Sequence, residues 1–269
     1  MYNYNNMIRK CFIAAVVCVF FSVNAYSQET DTTPELITDR PDATEAPSVV
    51  PKGSFQAELG GFYESFDENG IKTESYTYNT TLLRYGLLDR LELRLGWDIV
   101  DQKITDRNLN TEQSISGFSP LLAGVKVAIT EEKGCLPEIG LIGHLMLPFT
   151  AGSDVKPETT GVDFRFAFAH TLSDRSSLSY NLGAEWGNDS PEAAYIYTLA
   201  YGYAITDAFG AYVELYGDFP ENSMANHLWD AGITYLVQHN IQLDATVGTS
   251  FTDGQDILLS AGISFRIPN

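Results

Sequence analysis

HLWDAGITYLVQHNIQLDATVG, running from His227 to Gly248, decides the fold. Trp229, Ala231, Ile233, Tyr235 and Val237 are apolar, while Asp230, Gly232, Thr234 and Gln238 on the other parity are polar or small. After His239-Asn240 the alternation resumes, with Ile241, Leu243, Ala245 and Val247 set against Gln242, Asp244, Thr246 and Gly248. A two-residue period puts successive side chains on opposite faces of a pleated strand. Two such runs joined by a turn-forming dipeptide make an antiparallel hairpin.

The unit recurs along the chain. Alternation predicts strands near 54–64, 74–85, 91–101, 118–130, 137–149, 161–172, 177–187, 193–204, 209–218, 228–238, 241–249 and 257–267. The third is the cleanest: Leu91, Leu93, Leu95, Trp97 and Ile99 share one parity, and Glu92, Arg94, Gly96 and Asp98 the other. A helix would scatter those apolar residues around its circumference. Connections after even-numbered strands are short, as in Leu88-Asp89-Arg90, Glu131 to Leu136, Ser173-Asp174-Arg175, Thr206-Asp207 and His239-Asn240. Most of those after odd strands are longer and polar: Ser65 to Thr73, Gln102 to Gly117, Thr150 to Thr160, Pro220 to Asn226 and Thr249 to Asp256. Short turns on one rim and long loops on the other describe a transmembrane antiparallel up-and-down β-barrel, all-β, of about 12 strands, with both termini periplasmic. Strands of about 10–11 residues suit a tilted crossing.

A soluble sandwich or lipocalin-like barrel would also alternate, but it fills its interior with the apolar parity. Twelve strands enclose too wide a lumen for that, so the polar parity is expected inside and the apolar parity against lipid. Aromatic residues agree: Tyr63, Trp97, Phe149, Trp186, Trp229 and Phe251 fall near the long loops, and Phe55, Tyr85, Phe209 and Phe265 near the other rim. Headgroup regions select such girdles.

Residues 1–25 read as a signal peptide, with Arg9 and Lys10, an apolar core from Cys11 to Phe21, and Val23-Asn24-Ala25 at the cleavage site. Removing it takes two of the three Cys and leaves Cys135, so no intramolecular disulfide is expected. It also makes the net charge of −19 two units more negative. That excludes a nucleic-acid binder that works by neutralising phosphates. Residues 26–53 form a polar periplasmic lead-in rich in Thr, Asp, Glu and Pro, and 54–269 the outer-membrane barrel. Within the lead-in, Asp39, Arg40 and Asp42 are expected to contact the periplasmic mouth, capping or partly plugging it.

Several segments carry a family resemblance: Thr38-Asp39-Arg40-Pro41-Asp42 with Thr44-Glu45, Val50 to Gln56 leading into Glu58, Leu83 to Leu87 with Asp89 to Arg94, Pro137 with Leu147-Pro148-Phe149, Trp229 to Gly232, and Gln242 to Asp244. Through them nearly the whole mature chain resembles the outer-membrane transporter family of Gram-negative bacteria labelled for a phenol-degradation meta-pathway. The resemblance implies a barrel of about 12 strands with a transport role. It names no solute, because phenol breakdown reflects genomic context. The C-terminus departs from the common aromatic ending of such barrels, since Phe265 is followed by Arg266-Ile267-Pro268-Asn269.

With the polar parity inward, the lumen is expected to collect Glu58, Arg84, Glu92, Arg94, Asp98, Lys126, His144, Asp163, Arg165, Glu185, Glu214, Asp218, Asp230, Asp244 and Arg266. Acids outnumber bases, which favours cations or uncharged polar solutes. Pairing such as Glu92 with Arg94 or Asp163 with Arg165 could instead close the lumen. His144, His170, His227 and His239 fall on different elements, without a nucleophile motif, so no catalytic residue is assigned and a lipid-acting barrel enzyme is the weaker alternative. No Cys/His cluster has metal-ligand spacing, and Asp106, Glu112, Asp253 and Asp256 read as solvated loop acids. The sequence thus points to a passive channel for small solutes, without cofactor or metal, exported to the outer membrane. The loops 102–117 and 150–160 are expected to gate access. Its expected partners are outer-membrane lipid and lipopolysaccharide, the barrel-assembly machinery and an unidentified small solute, but no nucleic acid.

Overall fold

The computed structural model describes residues 34–187, 189, 191–252 and 254–267; the expected signal peptide, the start of the lead-in and Asp253 lie outside them. Thirteen strands follow in order: β1 (Phe55–Glu68), β2 (Ile71–Leu88), β3 (Leu91–Asp106), β4 (Thr111–Phe118), β5 (Leu121–Thr130), β6 (Glu138–Leu147), β7 (Gly161–Ser173), β8 (Ser176–Trp186), β9 (Ala193–Ala204), β10 (Phe209–Pro220), β11 (Asn226–Gln238), β12 (Ile241–Ser250) and β13 (Gln255–Ile267). Neighbours pair antiparallel, and β1 joins β13 through Gln56 opposite Arg266, which closes the ring. The barrel has 12 strands, and β4 stands outside the ring as one extra strand.

The extra strand corrects the expected loop at 102–117. Along β3, Leu91 to Gly96 pair with β5, and from Ile99 to Asp106 the partner becomes β4. The single strand expected over 118–130 is therefore shortened to β5. The loop expected at 65–73 is likewise a hairpin, turning at Asn69 (φ 52°) and Gly70 (φ 83°). Asn-Gly accepts the left-handed backbone that a two-residue hairpin turn requires. These extensions lack apolar alternation because their two faces are not divided between lipid and lumen, yet Thr, Tyr and Ile keep strand propensity.

Burial confirms which parity faces inward. Leu93, Leu95, Val125, Val127, Val213, Leu215, Ile233, Tyr235 and Leu243 are exposed, whereas Glu92, Lys126 and Glu214 show no accessible surface. An apolar exterior over a polar interior is the inverse of a water-soluble core and the pattern of a membrane barrel. Phe55 and Ile267 lie together at the tight-turn rim, beside the turns at Asp89-Arg90, Asp174-Arg175 and His239-Asn240.

Candidate functional site

The segment Glu35 to Pro51 belongs to the same compact unit as the barrel and runs through its interior. Its charged residues meet acids and bases on opposite walls. Asp39 accepts from Lys126 Nζ at 2.8 and 2.9 Å and from Arg94 at 2.7 Å, and pairs with Arg84 at 3.1 Å. Its backbone N–H donates to Glu58 Oε2 at 3.0 Å. Burial opposes charge on Asp39, but Arg84, Lys126 and Arg94 together hold its carboxyl well below the usual range. Glu45 reaches Arg94 at 2.7 Å, its backbone N–H donates to Asn181 Oδ1 at 2.8 Å, and despite burial Arg94 helps hold its carboxyl low.

Arg40 turns to the adjoining strands, donating to Asp244 of β12 at 2.8 Å and Ser260 of β13 at 2.9 Å beneath the Phe62 ring of β1. Two glycines admit it: a Cβ on Gly60 or Gly262 would sit 2.5 or 2.3 Å from the guanidinium. Glu214 accepts from the Ala43 backbone N–H at 2.7 Å and from the Thr44 hydroxyl, which also meets Thr198 Oγ1 at 2.7 Å. Asp42 is held well above the usual carboxylate range, first by burial and then by the neighbouring charge of Glu214. Val50 N–H donates to Glu92 at 2.8 Å, Glu92 pairs with Arg84, and Gly53 N–H bonds the Gly86 carbonyl at 2.7 Å.

The inward residues named from the sequence divide in two. Glu58, Arg84, Glu92, Arg94, Lys126, Asp163, Glu214, Asp230, Asp244 and Arg266 are buried inside the barrel. Asp98, Arg165, Glu185 and Asp218 are half-buried. Asp39 and Arg40, with Asp42, lie among inward residues of the strands rather than at the rim where the mouth contact was expected. Sequence reading missed the neutral partners Thr44, Gln56, Asn181, Thr198 and Ser260. Their signal is parity: Asn181 sits four residues before Glu185 on β8, and Gln56 two before Glu58 on β1.

The segment stands between two cavities. One, of about 520 Å³, lies toward the tight turns and is bordered by Pro41, Pro47, Glu138, Arg175 and Tyr212. The other, of about 410 Å³, lies toward the long loops and is bordered by Arg94, Asp98, Ser119, Met146 and Arg165. Arg40 borders both. His144 Nδ1 bonds Asp163 at 3.0 Å inside the lumen, and Nε2 has no hydrogen-bond partner among the described residues.

Comparison with known proteins agrees with this architecture. The family model described as "Putative MetA-pathway of phenol degradation" matches residues 38–267. Among solved structures, an outer membrane channel from Pseudomonas putida F1 superposes with a TM-score of 0.63 at 14% identity, covering 82% of this chain and 98% of that one. The β domain of the Bordetella autotransporter BrkA gives 0.54 at 12% identity, covering 81% and 100%. The translocator domain of the Neisseria meningitidis autotransporter NalP gives 0.51 at 8%, covering 80% and 88%. At these identities the likeness is one of fold. No curated protein sequence matches the chain.

Proposed function

The chain belongs to the family described by that phenol-degradation model, and from that membership we propose a passive, non-enzymatic outer-membrane channel for small solutes, restricted from within by its own N-terminal segment. The carrying observation is the segment Glu35 to Pro51, bonded to both walls of a closed 12-stranded ring with a cavity on either side. A barrel filled by its own side chains would need no such strand of backbone across it. The channel named for the Pseudomonas putida structure supports the reading. In this proposal the tight turns, with the start of β1 and the end of β13 beside them, face the periplasm.

Charge sets the expected selectivity. Arg84, Arg94 and Lys126 are engaged by Asp39, Glu45, Glu58 and Glu92. Glu185, Glu214, Asp218 and Asp230 form no ion pair within 4.0 Å among the described residues. The remaining field is negative, which favours small cations over small anions. The density of buried pairs also favours a second reading, a closed recognition barrel.

Single-channel current in planar bilayers separates the two. We expect discrete, cation-leaning steps from the mature protein and a larger conductance when residues 28–45 are deleted. Equal conductance for both forms removes the segment from the path. Silence from both, in barrels shown to be folded by heat-modifiable migration, makes the lumen closed.

A further inference from the structure

One patch of the inner wall breaks the polar rule. Leu82, Leu122 and Met146 fall at one level across β2, β5 and β6, with Gly96 of β3 between them. Three apolar side chains thus form a shelf on the inward face, and all three border the 410 Å³ cavity above the segment. Two residues closer to the tight turns, about 7 Å along the strands, lies the row Arg94, Gly124, His144 and Asp163. Gly124 lets the imidazole lean across it, since a Cβ there would sit 2.2 Å from His144 Cδ2.

This row is incompletely satisfied. Arg94 Nε in this row, and Arg165 Nε one level nearer the tight turns opposite Ile142, are buried without hydrogen-bond partners among the described residues, and both residues border the same cavity with His144. Arg94 is 5% exposed and His144 4%. Among the described residues the guanidinium of Arg165 meets carboxylates only at 3.5 Å (Asp163) and 3.9 Å (Glu45). Buried N–H groups left without acceptors are costly, and guanidinium can only donate. The missing group is therefore an acceptor, and beside a loosely held cation it is best an anion. Asp98 lies four residues beyond Arg94 on β3, about 13 Å away, and also borders the cavity. It disfavours a second negative charge at that end.

We propose that this cavity is a binding site for a small monocarboxylate with an apolar body, its carboxylate on Arg165 and Arg94 and its body on the shelf of Leu82, Leu122 and Met146. The site rests on the channel reading in that it forms the long-loop vestibule of the path. The acids without an ion pair among the described residues, Glu185, Glu214, Asp218 and Asp230, lie on β8–β11; this pocket lies on β1–β7 and the internal segment, where Glu45, Glu58 and Asp163 are paired with arginines, so a retained acid would obstruct current rather than carry it.

Isothermal titration of the detergent-folded mature protein with hexanoate, hexanol and succinate tests it. Hexanoate should bind saturably, and both others about tenfold more weakly or worse. Arg165→Gln and Met146→Asp, each checked for heat-modifiable migration, should each weaken hexanoate by about tenfold or more. Hexanoate binding no better than hexanol, or equally to both variants and the parent, overturns the site. Current is read separately: conduction without hexanoate binding sinks this site and leaves the channel, whereas binding without conduction sinks the channel and leaves the site.

Discussion

Lys126 Nζ donates to both carboxylate oxygens of Asp39, at 2.8 and 2.9 Å, joining residues 87 apart in sequence. With Arg84 and Arg94 on the same carboxylate, Asp39 is the electrostatic anchor of the internal segment. Removing one partner of a buried pair costs about 3–5 kcal/mol, because the other charges remain in place without it. Asp39→Asn should therefore undock the segment while the hydrogen-bonded ring persists. The conductance should approach that of the 28–45 deletion, and limited proteolysis should cut before residue 51. Parental conductance and protection in Asp39→Asn would show that the anchor lies elsewhere.

Two neighbouring acids give docking opposite responses to pH. Asp39 has a depressed folded value, so its contribution is present above the unfolded carboxylate value of about 3.9 and is lost as pH falls through the depressed one. Asp42 has a raised folded value, so docking weakens as pH rises from the unfolded value through the raised one. Asp42→Asn should flatten the second response and leave the acid loss intact. Conductance against pH checks this; the parental profile retained in Asp42→Asn would remove that residue from the response.

The barrel was legible because lipid and lumen impose a strict two-residue period on every crossing strand, as Leu91 to Ile99 show. Where β3 runs on to Asp106 beyond the apolar run, that constraint ends, so the β3–β4 extension read as loop. The internal segment was legible only as a charged, Pro-rich stretch. Nothing local in Asp39 or Thr44 tells that their partners are Lys126 and Glu214, because closure of the ring brings them together. The neutral half of the site was hidden for a related reason: Asn181 and Thr198 are ordinary inward residues until Thr44 and Glu45 arrive.

The glycine cradle gives a test that leaves Arg40 in place. Gly262→Val would put side-chain atoms where the guanidinium lies, 2.3 Å from a Cβ, on a strand where β-branched residues are otherwise well accepted. It should expel Arg40 from Asp244 and reproduce the conductance of Arg40→Ala. Combining the two should add little, since both remove the same contact. Additive effects in the double variant would separate the glycine from the arginine.

The outer face predicts stability rather than conductance. Leu93 is 40% exposed, between Glu92 and Arg94, whose side chains are buried inside. Leu93→Arg would place a cation against hydrocarbon at a cost of about 2–4 kcal/mol if the position lies near the bilayer midplane. Unfolding from lipid vesicles should show that loss, with current per channel unchanged. A neutral effect would place this band outside the hydrocarbon.

Glu214 ties the segment to the far wall through neutral donors alone, the Ala43 N–H and the Thr44 hydroxyl. Hydrogen bonds to a charged acceptor contribute about 1.5–3 kcal/mol each, so Glu214→Gln and Thr44→Val should each loosen docking. Because they share one bond, the double variant should lose less than the sum of the singles. Glu214→Gln also removes a carboxylate with no ion-pair partner, which should move the reversal potential in a salt gradient toward non-selectivity. Thr44→Val keeps that charge and should leave the potential nearly unchanged while raising conductance. Equal shifts of potential in both variants would tie selectivity to the position of the segment rather than to the charge of the wall.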